Sequence, residues 1–403
     1  MSSLMSVAEA LQHVLADAAP LPVERVPLDD ALGRVLADDV AALRTQPPAS
    51  VSAMDGYAVR GADVGNVPVT LQVIGEVAAG HPFGGTVQAG QAARIFTGGL
   101  MPAGADTVVV QEVTRRDGAA VTIEKATAPG RNVRRAGLDF TEGQVLLNKG
   151  RRLTGRDLML AAAMNHPAVW VHRRPKVAIV GTGDELVPPG SALKAGEIVF
   201  SNGFALSALV RSEDAEANDL GIARDKITEI VTAVREAGAW GADVLVTTGG
   251  ASVGEHDLVQ RALAAEGLDL SFWRVALRPG RPMMHGKLGA MQVLGVPGNP
   301  VSSYVCSFLF LVPLIRRLAG RADVEPKPET ARLGRALPEN DERQDYLRAS
   351  LEDGPDGQVA TPLTAQDSSQ MALLAKADCL VIRPPHAPAA PAGSPCVILK
   401  LGL

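Results

Sequence analysis

Short apolar runs alternate with helical stretches between Lys176 and about Gly320, and this alternation restricts the possible folds more than any other feature of the sequence. The apolar runs are KVAIV, DVLVTT, LSFWRVA and MQVLGV. The helical stretches between them include FALSALVRSEDAEA, KITEIVTAVREAG and EHDLVQRALAAEG. Strands that alternate with helices form βαβ units, because neighbouring parallel strands need a crossover connection. The sequence therefore predicts an α/β domain with a mostly parallel sheet over residues 175–325.

A chain of 403 residues is too long for one hydrophobic core, so further domains are expected. The rest of the chain differs from the α/β region in composition and in the pattern of its apolar residues. Residues 44–139 are rich in Gly, Val and turn signals, which predict a β domain. Residues 1–43, including the amphipathic segment LDDALGRVLADDV, and residues 140–174 have helical patterns. The β domain is therefore expected to be inserted into a helical domain. Residues 326–403 carry short strands around a Pro-rich loop and predict a small, barrel-like C-terminal β domain.

Charge and cysteine usage exclude several classes of protein. A formal net charge of -5 argues against a general nucleic-acid binder, which needs a basic surface. The three cysteines are far apart and form no CxxC, so neither a zinc site nor a disulfide framework is expected. This use of cysteine predicts a cytoplasmic location. The most apolar stretch, Val301–Ile315, is shorter than the roughly 18–20 residues that span a bilayer. It is expected to be a buried helix, and no membrane association is predicted.

Two strands of the α/β region end in Gly-rich loops, and ligands of open α/β sheets bind beyond the carboxyl ends of strands. GTGDEL follows KVAIV and contains Glu185, although a turn with solvated acids is the simpler explanation of this hexapeptide alone. GGASVGEHD follows DVLVTT, and Gly249 and Gly250 end that strand. The S-x-x-E spacing from Ser252 is that of a capping box, so a helix is expected to begin there with Asp257 in its first turn. Such a helix can be purely structural.

A third loop, PGNPVSS, follows MQVLGV. Pro297 and Pro300 stiffen it, and Gly298 allows close approach to the backbone. Asn299 or Ser302 can cap the apolar helix that follows, whose N-terminal amides would form a site for an oxyanion. A rigid junction between a strand and a helix explains the same residues without a ligand.

Three arginines precede this loop in RVALRPGRPMMHG: Arg274, Arg278 and Arg281. Their fixed charges suit phosphate or another tetraoxyanion, whereas three arginines alone are usually a solvated basic loop. Their place in an acidic chain, next to a candidate anion site, favours anion binding. In the β region, Asp55 stands beside Gly56 in PPASVSAMDGYAVR, and Thr97 precedes two glycines in IFTGGLMPAGAD. A plain turn explains each of these two motifs by itself.

Taken together and in order, these segments resemble the MoeA/gephyrin E-domain family over nearly the whole chain. The matching motifs are SAMDGYAVR, IFTGGLMPAGADTVV, NVRRAGLDF, VAIVGTGDEL, VFSNGFAL, VLVTTGGASVGEHD, VALRPGRPMMHGKLG and LGVPGNPVSS. DYLRASL and MALLAKADCLVI resemble the C-terminal domain of the family. Each motif alone is weakly specific, but eight in the right order are strongly so.

The resemblance implies a molybdenum insertase of molybdenum cofactor biosynthesis. Members of the family have four domains and form homodimers with the active site between subunits, and their α/β domain resembles the molybdopterin adenylyltransferase fold. The implied reaction uses Mg²⁺, releases AMP from adenylylated molybdopterin and places molybdate on the dithiolene. An upstream adenylyltransferase is expected to supply the substrate, and molybdoenzymes or cofactor carriers to receive the product.

The resemblance also implies which residues carry the reaction. The implied catalytic residues are Asp55, Thr97, Asp139, Glu185, Asp225 and Asp257. Carboxylates suit a hard cation, and the implied metal ligands are Asp55, Glu185, Asp225 and Asp257. The implied molybdate group is Arg278, Ser302, Arg348 and Ser369. The expected substrate-binding set adds Gly249, Gly250, Ser252, Arg274, Arg281, Pro297, Gly298, Asn299 and Pro300.

The sequence departs from the family pattern in two places. Arg274, Arg278 and Arg281 stand where many members have lysines, which replaces point charges by planar forks. Ser368-Ser369-Gln370 replaces the usual Gly-Ser-His. The sequence leaves two alternative functions: an adenylyltransferase acting on the pterin, and a scaffold module like the receptor-clustering E-domain. The motifs of the β and C-terminal domains weigh against the first, and the full set of acidic and basic site residues weighs against the second.

Overall fold

A computed structural model of the chain describes residues 4–16, 18–249 and 258–402. A π-helical turn, Ser307–Leu311, joins the sixth and seventh helices of this part of the chain. The helices are α1 Val7–Ala16, α2 Gly155–Ala163, α3 Asn202–Ser212, α4 Ile227–Trp240, α5 Leu258–Ala265, α6 Pro300–Cys306, α7 Val312–Leu318 and α8 Met371–Leu374.

The strands fall into three groups along the chain. The first group is β1 Val23–Pro27, β2 Val40–Ala41, β3 Val51–Ser52, β4 Gly56–Val59, β5 Val69–Val77, β6 Gln91–Ile95, β7 Thr107–Val110, β8 Thr114–Asp117, β9 Ala120–Ile123, β10 Val133–Arg134, β11 Val145–Leu147 and β12 Ala168–His172. The second is β13 Lys176–Thr182, β14 Leu186–Val187, β15 Ile198–Val199, β16 Glu216–Ala223, β17 Val244–Thr248, β18 Asp269–Trp273, β19 Leu277–Arg278, β20 Met284–Leu288 and β21 Met291–Val296. The third is β22 Glu329–Leu333, β23 Gln344–Gly354, β24 Gly357–Pro362, β25 Cys379–Arg383 and β26 Pro395–Lys400.

The predicted α/β domain contains a six-stranded sheet in the order β16-β13-β17-β21-β20-β18. β16, β13, β17 and β21 run parallel, and β20 and β18 continue the sheet in antiparallel pairs. Alternate residues of each strand face opposite sides. Ile179 and Val246 pack with α1, α3, α6 and α7 on one face, whereas Val180 and Leu245 pack with α4 and α5 on the other. The prediction of a mostly parallel sheet between helices is confirmed.

The apolar stretch after β21 forms one nearly continuous helical segment, Pro300–Leu318. Within the described residues, it is the one helix long and apolar enough to cross a membrane by composition, and 83% of its apolar window is buried. Phe310, Leu311 and Leu314 are fully buried in the core shared with α1 and α3. The predicted buried core helix is therefore confirmed.

The β domain and the segments that flank it meet at paired strands. β4–β9 form a sheet in the order β7-β4-β6-β5-β9-β8, which carries the β domain. β1 pairs with β12, and β2 pairs with β11, so the chain before the β domain lies against the chain after it.

The helix predicted for LDDALGRVLADDV is wrong. Only Leu28–Asp30 form a short 3-10 turn there. Gly33 has φ +78, a left-handed conformation that ends a helix. Leu36 is fully buried, and its amide donates to the carbonyl of Arg151 (3.0 Å). Long-range bonds to the segment after the β domain thus replace the local helical bonds that the amphipathic pattern favoured.

The C-terminal domain is a closed barrel. The sheet runs in the order β23-β24-β22-β26-β25, and an additional pairing of β23 with β25 closes the ring of five strands. Its core includes Leu333, Ala349, Val381 and Ile398. β19 of the α/β domain adds to β23 in parallel, with Arg278 opposite Asp345. This pairing connects the two domains, and the barrel confirms the predicted C-terminal fold.

Candidate active site

The carboxyl ends of β13, β17 and β21 open into a cleft of about 660 Å³. This is the edge of the sheet at which the sequence predicts a ligand site. Seven of the expected site residues line the cleft: Glu185, Asp225, Gly249, Pro297, Gly298, Asn299 and Pro300. The strands are parallel here, so loops that are far apart in the sequence meet at one place.

Glycines allow the three strand ends to touch. Gly249 has φ +94, and a Cβ placed on it would lie 2.5 Å from the carbonyl oxygen of Thr182. A Cβ on Gly298 would lie 3.4 Å from the Cα of Gly249. A side chain at Gly249 is therefore excluded both by the backbone conformation and by the carbonyl at the end of β13. The close approach leaves backbone atoms, and not side chains, at the floor of the cleft.

Acidic residues of two loops lie at one wall of the cleft. The amide of Asp184 donates to the Asp225 carboxylate (3.3 Å), and the amide of Asp225 donates to the Asp184 carboxylate (3.2 Å). The Arg224 guanidinium donates to the carbonyls of Asp184 (2.8 Å) and Leu186 (2.9 Å), which ties the loop after β13 to the loop after β16. Arg224 was missed by the sequence analysis. Its position directly before Asp225 in GIARD is the signal that could have found it.

The loop after β21 is held by the C-terminal domain. Asn299, one of the two residues expected to cap α6, is its N-cap residue, but its side chain makes no capping bond. Its Nδ2 donates instead to the hydroxyl of Ser368 (3.0 Å), and the amide of Val301 donates to the Ser368 carbonyl (3.2 Å). The first helix amide is therefore occupied by protein. Ser302 follows Val301 in α6 and is 4% exposed.

Arg348 is the most unusual cation of the described structure. It is only 1% exposed, although arginine is almost never fully buried without a partner. Its Nε donates to Gln366 (3.3 Å) and its Nη1 to the carbonyl of Gln370 (3.4 Å), both long bonds, and its Nη2 has no partner among the described residues. Burial lowers the pKa of the Arg348 guanidinium, and the nearby Asp367 carboxylate opposes this effect. A buried cation with a free donor is costly, and a bound anion would relieve that cost.

Ser369 lies in the same loop as the partners of Arg348. Its amide (2.8 Å) and hydroxyl (2.6 Å) both donate to the Asp367 carboxylate. These two bonds hold the pKa of Asp367 below its ordinary value. The structure therefore joins the loop of Ser369 to Arg348 through Gln370, and to the α6 loop through Ser368.

Arg278 is placed differently from the expectation. Its guanidinium donates to both carboxylate oxygens of Asp345, and also to Asp341 (3.2 Å) and Asn340 (3.2 Å). Two carboxylates thus already neutralise it, and in this arrangement Arg278 is not a free cation beside Arg348. Burial raises the pKa of Asp345, whereas bonds from Arg343 lower the pKa of Asp341 to about 2.

The other two arginines of this segment lack a side-chain partner among the described residues. Arg274 and Arg281 are exposed, and neither has a side-chain hydrogen bond or an ion pair within the described part of the chain. The amide of Val275 donates to the carbonyl of Arg281 (3.2 Å), so the two positions lie on facing segments. Pro282, directly after Arg281, lines the cleft. Both arginines therefore remain candidates for an anionic substrate.

Asp55 and Thr97 come together on the β domain. The amide (2.7 Å) and hydroxyl (2.8 Å) of Thr97 donate to the same oxygen of Asp55, and they hold the pKa of Asp55 below its ordinary value. Asp139 lines a separate cavity of about 620 Å³ together with Gly98 and Leu138. None of these three acidic or hydroxyl residues lines the cleft of the α/β domain.

The four expected metal ligands are divided. Glu185 and Asp225 share the cleft, and Asp55 lies on the β domain. Asp257 lies outside the described residues, as do Gly250 and Ser252. Within residues 4–16, 18–249 and 258–402, no group of three or more His, Cys, Asp or Glu could hold a metal ion. Within the described residues, one chain therefore presents two of the expected carboxylates, Glu185 and Asp225, at the cleft.

Family models match most of the chain in the order that the motifs follow. A model of the MoeA N-terminal region (domain I and II) matches residues 5–165. A model of a probable molybdopterin binding domain matches residues 178–317, and one of the MoeA C-terminal region (domain IV) matches residues 330–401.

Characterised relatives and solved structures agree with these matches. A molybdopterin molybdenumtransferase of Nostoc sp. is 41% identical over 336 residues, which cover 81% of this chain and 77% of the relative. One of Haemophilus influenzae is 34% identical over 370 residues, 90% of each chain. The crystal structure of a molybdopterin biosynthesis MoeA protein from Pyrococcus horikoshii superposes with a TM-score of 0.85 at 28% identity, and the alignment covers 99% of this chain and 100% of that one.

Proposed function

The chain belongs to the MoeA family of molybdopterin molybdenumtransferases, transferases of molybdenum cofactor biosynthesis, and we propose that it releases AMP from adenylylated molybdopterin and transfers molybdate onto the dithiolene. The transferase itself follows from the family. The substrate, the release of AMP and the residues that act are the proposal.

One observation carries the molybdate end of the proposal: Arg348 is 1% exposed and keeps a free Nη2 donor. A doubly charged tetraoxyanion needs charge-assisted bonds, because its oxygens lose their contacts with water. Arg348 supplies a cation of the required kind, and Ser302 on α6 adds a hydroxyl. The hydroxyl of Ser369 would join them once molybdate replaces Asp367 as its acceptor. Arg278 contributes less than the resemblance implies, since Asp341 and Asp345 already hold it.

The acidic wall of the cleft suits Mg²⁺ as the cofactor. Mg²⁺ is usually held by one or two carboxylates together with substrate phosphates and water, and Glu185 and Asp225 line the same cleft. Asp257 is expected to join them. When bound, Mg²⁺ would neutralise the pyrophosphate and the departing AMP. Glu185 and Asp225 hold the cation, and the exposed Arg274 and Arg281 attract the anionic substrate to the cleft.

We further propose a homodimer in which the β domain of one subunit completes the cleft of the other. Asp55, Thr97 and Asp139 lie on a different domain from the cleft, and none of them lines it within one chain. In the dimer, Asp55 of the partner subunit would face Glu185 and Asp225. The upstream partner is a molybdopterin adenylyltransferase, the downstream partners are molybdoenzymes or cofactor carriers, and the proposed location is the cytoplasm.

The direct test is reconstitution with purified protein, adenylylated molybdopterin, Mg²⁺ and molybdate. Released AMP and active cofactor are both expected, and omission of Mg²⁺ should abolish the release of AMP. A parallel reaction with ATP and molybdopterin tests for adenylyltransferase activity and should give no adenylylated product. Formation of that product, or cofactor formation without AMP, would contradict the proposal.

A further inference from the structure

A second cavity, of about 330 Å³, lies between the α/β domain and the C-terminal barrel domain. We call it the seam pocket. Asn202 and Ala205 of α3 and Ser303 of α6 line it from one domain, and Leu374 and Ala377, in and after α8, line it from the other. It adjoins the active-site cleft, because Ser201, Asn202 and Pro300 line both. A molecule in the cleft can therefore extend into the seam pocket.

Asn202 and Ser303, which line this pocket, each carry a buried polar atom that has no partner among the described residues. Asn202 is 6% exposed, and its Nδ2 donates to the carbonyl of Gly298 (2.9 Å), which fixes the orientation of the amide. Its Oδ1 is buried without a partner among the described residues, and the same holds for the hydroxyl of Ser303, which is 1% exposed. Buried polar atoms are normally satisfied, and leaving one unsatisfied destabilises a protein. Both atoms are enclosed, and because Asn202 and Ser303 line the seam pocket, a ligand there would reach them after a small rotation of their side chains.

The rest of the lining defines the chemistry that the seam pocket accepts. None of the described residues that line it is charged, and Ala205, Leu206, Leu374 and Ala377 are apolar. Tyr304 also lines it, and burial raises the pKa of its hydroxyl, which keeps the ring neutral. This described lining offers no cation to balance the charge of a phosphate or molybdate. A flat, neutral ring with an N–H donor fits both the apolar walls and the free oxygen of Asn202.

We propose that the seam pocket binds the amino-bearing heteroaromatic ring of the substrate, with the ring amino group donating to Asn202 Oδ1 and Ser303 bonding a ring nitrogen. This inference rests on the proposed substrate, both ends of which carry such a ring: the adenine of the adenylyl group and the pterin. The volume is at the lower end of small-molecule sites, roughly 300–1,000 Å³, so one bicyclic ring fits and the whole conjugate does not. The charged middle of the substrate stays in the cleft beside Glu185 and Asp225.

Binding of ring compounds to the full-length protein tests the proposal. Isothermal titration with adenosine and with 6-hydroxymethylpterin distinguishes the two ring sources, and ribose 5-phosphate is the ring-free control. We expect one of the two ring compounds to bind. Ribose 5-phosphate should bind at least about tenfold more weakly, because it has no ring to bury against the apolar walls of the pocket. Binding of neither ring compound would overturn the proposal.

Matched variants locate the binding in the seam pocket. Ala205 is an exposed residue of α3 that lines the pocket, so Ala205→Leu fills it and should weaken ring binding by about tenfold or more. Ala208→Leu adds the same side chain at an exposed position of α3 that does not line the pocket, and should change nothing. Ser303→Ala should weaken binding about two- to tenfold, whereas Ser307→Ala, a buried serine outside the lining, should not.

The outcomes separate this inference from the proposed function. If wild-type protein releases AMP but Ala205→Leu binds ring compounds and substrate as well as Ala208→Leu does, the seam pocket holds only water and the inference is wrong. If ring binding fails in Ala205→Leu while wild-type protein releases no AMP, the pocket stands and the proposed reaction does not. A raised KM for adenylylated molybdopterin in Ala205→Leu, with kcat unchanged, supports both.

Discussion

Replacement of Arg348 by methionine should separate molybdate binding from folding, because the two effects have opposite signs. Arg348 is 1% exposed, its side-chain bonds are long (3.3 and 3.4 Å), and its Nη2 is free among the described residues. A buried cation in such surroundings adds little to stability, and apolar replacement of buried charges is often neutral or stabilising. Gln366 keeps a bond from the backbone amide of residue 348 (3.0 Å). The unfolding temperature of Arg348→Met should therefore stay equal or rise.

The same replacement should weaken the binding of molybdate. Loss of one charge-assisted hydrogen bond is worth about 1.5–3 kcal/mol, roughly a tenfold to hundredfold loss of affinity. We expect the molybdate concentration for half-maximal cofactor formation to rise by that factor in Arg348→Met and in Arg348→Ala. AMP release at saturating molybdate should change much less, because Glu185 and Asp225 line the cleft and Arg348 does not.

The assay is a molybdate titration of cofactor formation, with AMP release and thermal unfolding followed on the same preparations. Arg332→Ala is the control for loss of a cation, since it removes an exposed arginine from the same barrel. A large fall in unfolding temperature with an unchanged half-saturation point would refute the reasoning. Arg348 would then be a structural residue of the barrel.

Four further outcomes follow from the structure. Mixing Asp55→Ala with Asp257→Ala protein should restore part of the activity through hybrid dimers, and a monomeric mass with full activity would contradict the shared site. Asp257→Asn should lose AMP release at low Mg²⁺, because a hard cation needs the charge; wild-type kinetics would make Asp257 a capping residue only. Carboxyl NMR should find the pKa of Asp55 below its ordinary value, and this pKa should be higher in Thr97→Val, which removes one of the two hydrogen-bond donors. By linkage, the Asp55 carboxylate stabilises the fold at pH values above its ordinary pKa, and this stabilisation is lost as the pH falls through the lowered pKa of the folded state. Gly249→Ala should destabilise the protein by more than the roughly 1–2 kcal/mol of left-handed backbone strain, because its Cβ also meets a carbonyl oxygen. Gly190→Ala is the control, since Gly190 has φ +87 and its Cβ would lie in open space, so that only the backbone strain is added. Equal losses of unfolding free energy in the two variants would contradict the contact at Gly249.

The local pattern of the sequence determined the elements of the α/β domain and the positions of its loops. Alternating apolar runs and amphipathic stretches predict β13, β17, β21 and the helices between them, because strand and helix periods are properties of neighbouring residues. The parallel order of those strands then brings Glu185, Gly249 and Asn299 to one cleft. Two strands of the six-stranded sheet were not predicted: β16, which begins where a helix was expected to continue, and β20, which was included in the arginine loop.

Only the tertiary structure decided which groups face each other across the domains. The register of β19 with β23 sets Arg278 opposite Asp345, so a cation expected to bind an anion is neutralised by protein. Contacts with the segment after the β domain replace the helix expected over residues 28–40. The burial of Arg348 and the unpaired atoms of Asn202 and Ser303 are equally invisible in the sequence. The periods of secondary structure depend on near neighbours, whereas burial, charge pairing and cavities depend on residues that only the fold brings together.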